Sequence, residues 1–374
     1  MPPLMARFRF GPAWSRIQQE RSVGACYPFL ALFSQLYGMG VRFRLWAYKR
    51  RLFKSRRLPG FVVSVGNLTA GGTGKTPAVI MLARWALKEG YRVAVLSRGY
   101  GGQYKRKILE VSDGDRLQAD AQESGDEPYL LAKQLQGVPI VISKKRFLAG
   151  LFAQRKFGTE FFILDDGFQH LELKRDLDLV LLDALNPFGN GHLLPWGPLR
   201  EPVDQLLRAD AAIVTRFSKQ ASKGGALDFL KERHPSIPAF CAEHVPERVV
   251  FPGLNEIREP GYLKGKRVLA FAGIARPEVF RDTLMKLGAE IVYFKPFRDH
   301  YPFEQKEIQL LIEMKRELSA QYLITTEKDW VRIHSFASAY SEMAYLSISF
   351  RFYSGQEGFV NMVNSALSEY RRGI

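Results

Sequence analysis

Between positions 66 and 77 the chain reads Gly66-Asn67-Leu68-Thr69-Ala70-Gly71-Gly72-Thr73-Gly74-Lys75-Thr76-Pro77. Closely spaced glycines ahead of a Lys-Thr pair suit the binding of phosphates. Backbone N–H groups from Thr69 to Thr76 would surround the anion, Lys75 would reach the outer phosphates, and the Thr76 hydroxyl would ligate Mg²⁺. The strict pattern G-x-x-x-x-G-K-[ST] asks for Gly where this chain has Thr69. The Gly-Gly-x-Gly-Lys-Thr form fits better, with Ala70 at the place where some ATPases of that type carry an extra Lys. A flexible glycine turn before an ordinary helix is the bland reading. The flanking elements favour a nucleotide site, with ATP and Mg²⁺ as the implied cofactors.

Other residues are more ambiguous. An apolar run from Phe161 to Leu164 ends in Asp165-Asp166. In a phosphate-loop protein a second carboxylate directed at Mg²⁺ belongs there, although strands often end in Asp simply to start a turn. Gly125-Asp126-Glu127-Pro128 precedes a helical stretch, and spacing alone favours capping over catalysis. A carboxylate near the γ-phosphate could equally accept the proton of an attacking hydroxyl. Arg298-Asp299-His300-Tyr301-Pro302 is either an exposed loop or a His delivered to the site from a second domain. Gly197-Pro198-Leu199-Arg200-Glu201-Pro202 sets Arg beside Glu on a rigid loop, suited to a phosphate and a sugar hydroxyl, and also to a surface ion pair.

The elements that must position these residues follow from hydrophobic patterning. Strands are predicted at 61–65, 92–96, 138–142, 160–164, 177–182 and 211–215, with helices at 78–89, 128–136 and 146–156. That alternation implies an α/β fold, a parallel sheet flanked by helices with ligands at the carboxyl ends of its strands. A polar stretch at 231–266 looks like a junction. Beyond it, strands at 267–272, 290–294, 322–326 and 344–348 and helices near 277–287, 304–318 and 356–371 suggest a second, smaller α/β domain. The expected division is an arm at 1–57, a phosphate-loop core at 58–235 and a second domain at 236–374, whose last helix could pack on either domain.

Composition narrows the partners. The 374 residues contain two cysteines, Cys26 and Cys241, too few for a disulfide framework or a Cys-based metal cage, and a reducing location fits. The net charge is +16. Residues 1–66 carry twelve Lys/Arg against Glu20 alone, a net of +11, which leaves +5 for the other 308 residues. An apolar, aromatic part at 27–39 adjoins Arg42, Arg44, Lys49, Arg50, Arg51, Lys54, Arg56 and Arg57. Thirteen residues are short for a bilayer span but suit a segment lying in an anionic headgroup region. A solvated face and a nucleic-acid surface are the competing readings, and no nucleic-acid-binding signature accompanies the charge. No secretory cleavage site follows the arm.

Taken together and in order, these motifs resemble the tetraacyldisaccharide 4′-kinase family, the lipid A 4′-kinases of Gram-negative bacteria. The resemblance rests on 64–77, on Ser97-Arg98-Gly99-Tyr100-Gly101-Gly102, and on Gly125-Asp126-Glu127-Pro128. It continues through Asp165-Asp166-Gly167-Phe168-Gln169-His170, 197–202, Asp299-His300-Tyr301-Pro302 and Thr325-Thr326-Glu327-Lys328-Asp329, covering roughly 27–350. Two departures are an extension of about 20 residues at the start and Trp196 where a small residue is common. The resemblance implies transfer of the ATP γ-phosphate to the 4′-hydroxyl of a tetraacylated glucosamine disaccharide 1-phosphate. The setting would be peripheral, at the cytoplasmic face of the inner membrane, with no nucleic-acid or protein partner inferred. Asp126 would be the base, paired with His300. Asp165 and Asp166 would serve Mg²⁺ and the phosphates, Glu127 would add a Mg²⁺ contact, and Arg146, His170, Arg200 and Glu201 would line the site or hold substrate. A phosphate-loop ATPase switch at a membrane surface is the alternative; it would need the extra Lys at Ala70 or a Cys/His metal site, and the sequence has neither.

Overall fold

A computed structural model describes residues 27–218 and 224–373. The expectations for the first 26 residues, Cys26 and the extension included, fall outside it. In chain order the elements begin with α1 (Tyr27–Lys49), β1 (Phe61–Gly66), α2 (Lys75–Lys88), β2 (Val93–Ser97), β3 (Leu109–Ser112) and α3 (Ala121–Ser124). Next come α4 (Asp126–Gln134), β4 (Ile140–Ile142), α5 (Arg146–Phe157), β5 (Phe161–Asp165), β6 (Leu177–Asp183), β7 (Ala211–Thr215), α6 (Ala226–Arg233) and β8 (Ala239–Phe251). The chain closes with β9 (Glu256–Arg258), β10 (Arg267–Ala272), α7 (Pro277–Lys286), β11 (Glu290–Pro296), α8 (Gln305–Glu317), β12 (Tyr322–Thr326), α9 (Glu327–Ala337), β13 (Met343–Ser354) and α10 (Gln356–Arg372).

All the strands join one sheet, in the order β11-β10-β12-β13-β8-β7-β6-β1-β5-β2-β4-β3, with β9 paired to β8. From β7 to β4 the pairing is parallel, as the buried Val/Ile/Leu/Phe runs require. A second parallel set, β11-β10-β12-β13, is joined to the first where β13 runs antiparallel to β8. The polar stretch at 231–266 is therefore no simple interruption, because it contains β8, which spans 13 residues. Pro246 sits in β8 where the register shifts opposite Ser347/Ile348, and a bulge is where a strand tolerates a residue without an N–H.

Helices cover both faces. Phe359, Val363 and Leu367 of α10 pack with Phe61, Val79 and Phe161, so the last helix lies on the core around β1. A separate cluster around Leu269, Phe271, Leu323 and Trp330 fills the second half. The carboxyl ends of β1, β2, β5 and β12 all lead into the motif loops, and this places the site.

Candidate active site

β1 delivers the glycine-rich loop and α2 begins at Lys75, three residues earlier than patterning suggested. Gly74 precedes the helix with φ 85°, and a Cβ there would lie 2.4 Å from the His244 ring, so only glycine fits. No side chain caps this helix start, which leaves its first N–H groups pointing into the loop, the arrangement that binds phosphate. Pro77 costs nothing in the first turn, where no intrahelical partner exists for an N–H. From behind, Thr215 donates to the Thr73 carbonyl at 2.9 Å and Arg216 to the Gly72 carbonyl at 2.7 Å. The loop itself is braced by Ala70 N–H on the Pro198 carbonyl at 2.7 Å.

Lys75 reaches back to Asn67 Oδ1 at 3.3 Å and to Asp166 at 3.5 Å. Asp166 also accepts from Arg200 Nη1 at 2.7 and 2.8 Å. Burial pushes the Asp166 carboxyl up, but Lys75 and Arg200 outweigh it and hold it far below its ordinary value. Its neighbour behaves oppositely. Asp165, fully buried at the end of β5, is raised to about 7 by burial and then by Glu127 and Asp166, against a 2.9 Å hydrogen bond from Ser97. Its Oδ1 atom has no partner among the described residues. A buried, unpartnered carboxylate oxygen pushed toward protonation by two other carboxylates is where a divalent cation fits. Among the described residues no group of three His, Cys, Asp or Glu side chains could hold a metal alone. Mg²⁺ characteristically takes one or two carboxylates and completes its shell with phosphates and water.

Asp126 opens α4 from the first helical position, and Gly125 occupies the capping position. Capping, which spacing favoured, is not what this side chain does. Its Oδ2 accepts from His300 Nδ1 at 3.0 Å and from Arg332 Nε at 2.6 Å. Burial raises the Asp126 carboxyl, yet the His300 hydrogen bond and the Arg332 charge bring it down to about 2. Lys328 Nζ lies 3.1 Å from Glu127 Oε1 and 3.4 Å from His300 Nε2. Arg332 Nη2 also approaches Nδ1 to 3.3 Å, but the Asp126 carboxylate can only accept, so the 3.0 Å contact calls for the ring proton on Nδ1. His300 and Asp166 both sit in the left-handed region at φ 54°, a conformation side-chain-bearing residues accept where neighbours fix them.

The remaining expected residues divide. Arg146 starts α5, is 4% exposed, and its Nε has no partner among the described residues. Burial and the nearby Arg98 lower it to about 10. His170 is driven down to about 3 by burial and then Arg146 and Arg175, so the ring is neutral. Arg146 and Arg98 form a cationic wall beside Asp165 and Asp166, with the neutral His170 ring next to it. Glu201 differs from expectation: it has no exposure, and its oxygens are bound by Arg44 and Arg208. These two ion pairs anchor the loop. Arg332 escaped sequence reasoning. Its position three residues after Asp329, on the same face of α9, was the one available signal.

The family model described as tetraacyldisaccharide-1-P 4′-kinase matches residues 26–368. The chain belongs to the tetraacyldisaccharide 4′-kinase family. It is 42% identical over 342 residues to the tetraacyldisaccharide 4′-kinase of Syntrophus aciditrophicus, covering 89% of this chain and 91% of that one. To that of Pelobacter propionicus it is 44% identical over 304 residues, covering 81% and 82%. The crystal structure of LpxK from Aquifex aeolicus in complex with ATP superposes with a TM-score of 0.70 at 33% identity, covering 90% of this chain and 98% of that one. These matches do not favour the ATPase-switch alternative.

Proposed function

We propose that this chain is an ATP-dependent kinase that phosphorylates the 4′-hydroxyl of a tetraacylated glucosamine disaccharide 1-phosphate in lipid A biosynthesis. The observation that carries the site assignment is the 3.0 Å contact between Asp126 and His300, residues 174 positions apart that meet beside the nucleotide loop. The loop N–H groups from Thr69 through Ala70, Gly71, Gly72, Thr73 and Gly74 to Thr76 bind the phosphates of ATP, and Lys75 draws the γ-phosphate toward Asp166. Thr76 and Asp165 would hold Mg²⁺, with Glu127 adding a contact on release from Lys328. When bound, the cation neutralises charge on the transferring phosphoryl group. Asp126 aligns the acceptor hydroxyl and takes its proton. A carboxylate held near 2 is a weak base. Phosphoryl transfer through a loose transition state asks little of a base, and alignment carries most of the effect. Arg146, His170 and Arg200 hold substrate.

In the same reading, residues 58–235 form the nucleotide half and 236–374 the second half, with α1 resting on an anionic membrane at the cytoplasmic face of the inner membrane. Among the described residues no helix is long and apolar enough to cross a membrane. Support comes from the exposed face of α1, where Phe29, Leu32, Phe33, Leu36, Met39, Phe43 and Trp46 recur at helical spacing. Arg42, Lys49, Arg50, Arg51 and Lys54 are exposed beside them. Incubation with labelled ATP and the tetraacyl disaccharide monophosphate tests the activity. A bis-phosphorylated lipid is expected, and its absence with active-site-intact protein would overturn the reading.

A further inference from the structure

Arg332 lies outside every motif that marked the site, yet its guanidinium stands at the crossing of the two halves. The side chain is 8% exposed. Nε donates to Asp126 Oδ2 at 2.6 Å, while Nη1 donates to the Gly273 carbonyl at 3.0 Å and to Asp329 Oδ1 at 2.8 Å. Asp329 is itself fully buried and held from the other side, by Gly273 N–H at 2.9 Å and the Thr326 hydroxyl at 2.7 Å. The guanidinium is thus bolted at its rear to the ends of β10 and β12 and presents one N–H forward to α4.

We infer that Arg332 is a positioning residue for phosphoryl transfer, holding Asp126 Oδ2 against His300 so that Oδ1 is turned to the acceptor hydroxyl. The inference rests on the reading of Asp126 as the group that meets that hydroxyl. Asp126 Oδ2 takes two donors, His300 Nδ1 and Arg332 Nε, which fix the plane of the carboxylate as a single hydrogen bond would not. His300 is fixed in turn by Lys328 at Nε2 and by its own N–H on the Gly273 carbonyl at 3.2 Å, the same carbonyl that Arg332 grips. Gly273 is therefore the shared reference point for both partners of Asp126. A Cβ on Gly273 would lie 3.1 Å from Asp329 Oδ1 and 3.2 Å from the Phe303 ring, which leaves little slack at this point.

Only a guanidinium does this. Its donors diverge in one rigid plane, so one side chain can hold Asp126 and Asp329 at once. A lysine ammonium in the same place could satisfy either carboxylate but could not set the angle between them. The competing possibility is an interfacial ion pair that stabilises the contact of α4 with α9 and does nothing for the chemistry. Tyr129, Leu130 and Val331 already pack there as an apolar cluster, so the interface does not depend on the charge alone.

The test is steady-state kinetics with ATP and the tetraacyl disaccharide monophosphate on full-length wild type, Arg332→Gln, Arg332→Lys, Asp126→Asn and the Arg332→Gln/Asp126→Asn double variant, with melting temperatures. Misplacement of a reacting group by an ångström costs about 10²-fold. Arg332→Gln is therefore expected to lower kcat by about 10²-fold while leaving KM for ATP near the wild-type value. Placed on Asp126→Asn, the same change should cost only a few-fold more, because the two act as a unit. Arg332→Lys should lose roughly tenfold in kcat with little change in melting temperature. An equal loss from Arg332→Gln in both backgrounds would overturn the inference in favour of a structural ion pair, as would wild-type kcat in Arg332→Lys. Should Arg332→Gln fail to fold, Arg332→Lys decides alone. Full activity of Asp126→Asn would remove the underlying reading and the inference with it. An inactive Asp126→Asn beside an unaffected Arg332→Gln would remove the inference only.

Discussion

Arg44 Nη2 and Glu201 Oε1 stand 2.7 Å apart, joining a helix with a bare apolar face to a carboxylate that solvent never reaches. The same helix donates from the Tyr37 hydroxyl to the Arg200 carbonyl at 2.9 Å and from Ser34 to the Leu193 carbonyl at 2.8 Å. Arg200 is the residue that clamps Asp166. The arm is thus seated on the loop that shapes the site, and whatever holds the arm also touches the phosphate-facing machinery.

Removing the fully buried Glu201 strands two guanidinium groups, of which Arg208 is half-buried. Glu201→Ala is expected to cost about 3 kcal/mol or more of stability, by analogy with breaking other buried pairs. Arg44→Gln should cost little, because Arg44 is 40% exposed and Arg208 remains on the carboxylate. Denaturant unfolding of both variants checks the contrast. Equal losses would mean that Arg44, and not Glu201, is the anchor.

Lys75 is expected to be indispensable for transfer. Loss of an electrostatic clamp of this kind typically removes about 10² to 10³ in rate, so Lys75→Ala should fall at least that far while keeping its melting temperature. Near-normal turnover would separate the glycine-rich loop from the chemistry.

Membrane attachment should have two components. Of eight basic residues between Arg42 and Arg57, Arg44 and Arg57 are committed to Glu201 and Asp176, and Arg56 lies over the Phe147 ring. Each exposed one contributes roughly 1 kcal/mol near an anionic surface and is screened by salt. High salt should therefore release the protein from anionic vesicles only partly. Phe33→Asp combined with Trp46→Asp should release it much further at the same salt. Unchanged vesicle pelleting of that double variant would shift the attachment away from α1.

His244 gives a pH signature. Burial and then Arg216 bring its pKa to about 4 from the ordinary 6.5. Between those values the unfolded chain binds a proton that the folded chain refuses. This contribution to stability is complete above about pH 6.5 and declines as pH falls toward 4. The melting temperature should drop over that window, and His244→Gln should drop less steeply. Parallel melting curves for the two proteins would show that His244 is not buried neutral.

Much of the nucleotide half was legible because β1, β2 and β5 are short, fully buried apolar runs ending in motifs, whereas the four-residue β3 went unpredicted. β8 was not legible. Glu243, Glu247, Arg248 and Pro246 break its pattern, since its register is set by β13 and a bulge, not by its own side-chain alternation. The Asp126–His300 pair was reachable through the resemblance alone, because nothing local marks a contact between residues 174 positions apart. The ion pairs of Glu201 were not legible either, because an Arg-Glu pair on a loop looks alike whether it grips a ligand or a neighbouring helix. Arg332 left only its i,i+3 spacing from Asp329 as a trace, and a basic residue on an amphipathic helix is usually a solvated one.

The continuous sheet constrains how the protein comes apart. The two halves share the long β8–β13 ribbon, paired from Tyr345↔Val250 to Ser354↔Cys241, and α10 returns from the end of that ribbon to complete the first core. Neither half can melt without stripping the other of an edge or a lid. Calorimetry should therefore record one cooperative transition for the described body, with β8 and β13 amides among the slowest to exchange. Any opening that admits a lipid must be a flexing of the ribbon at its two bulges.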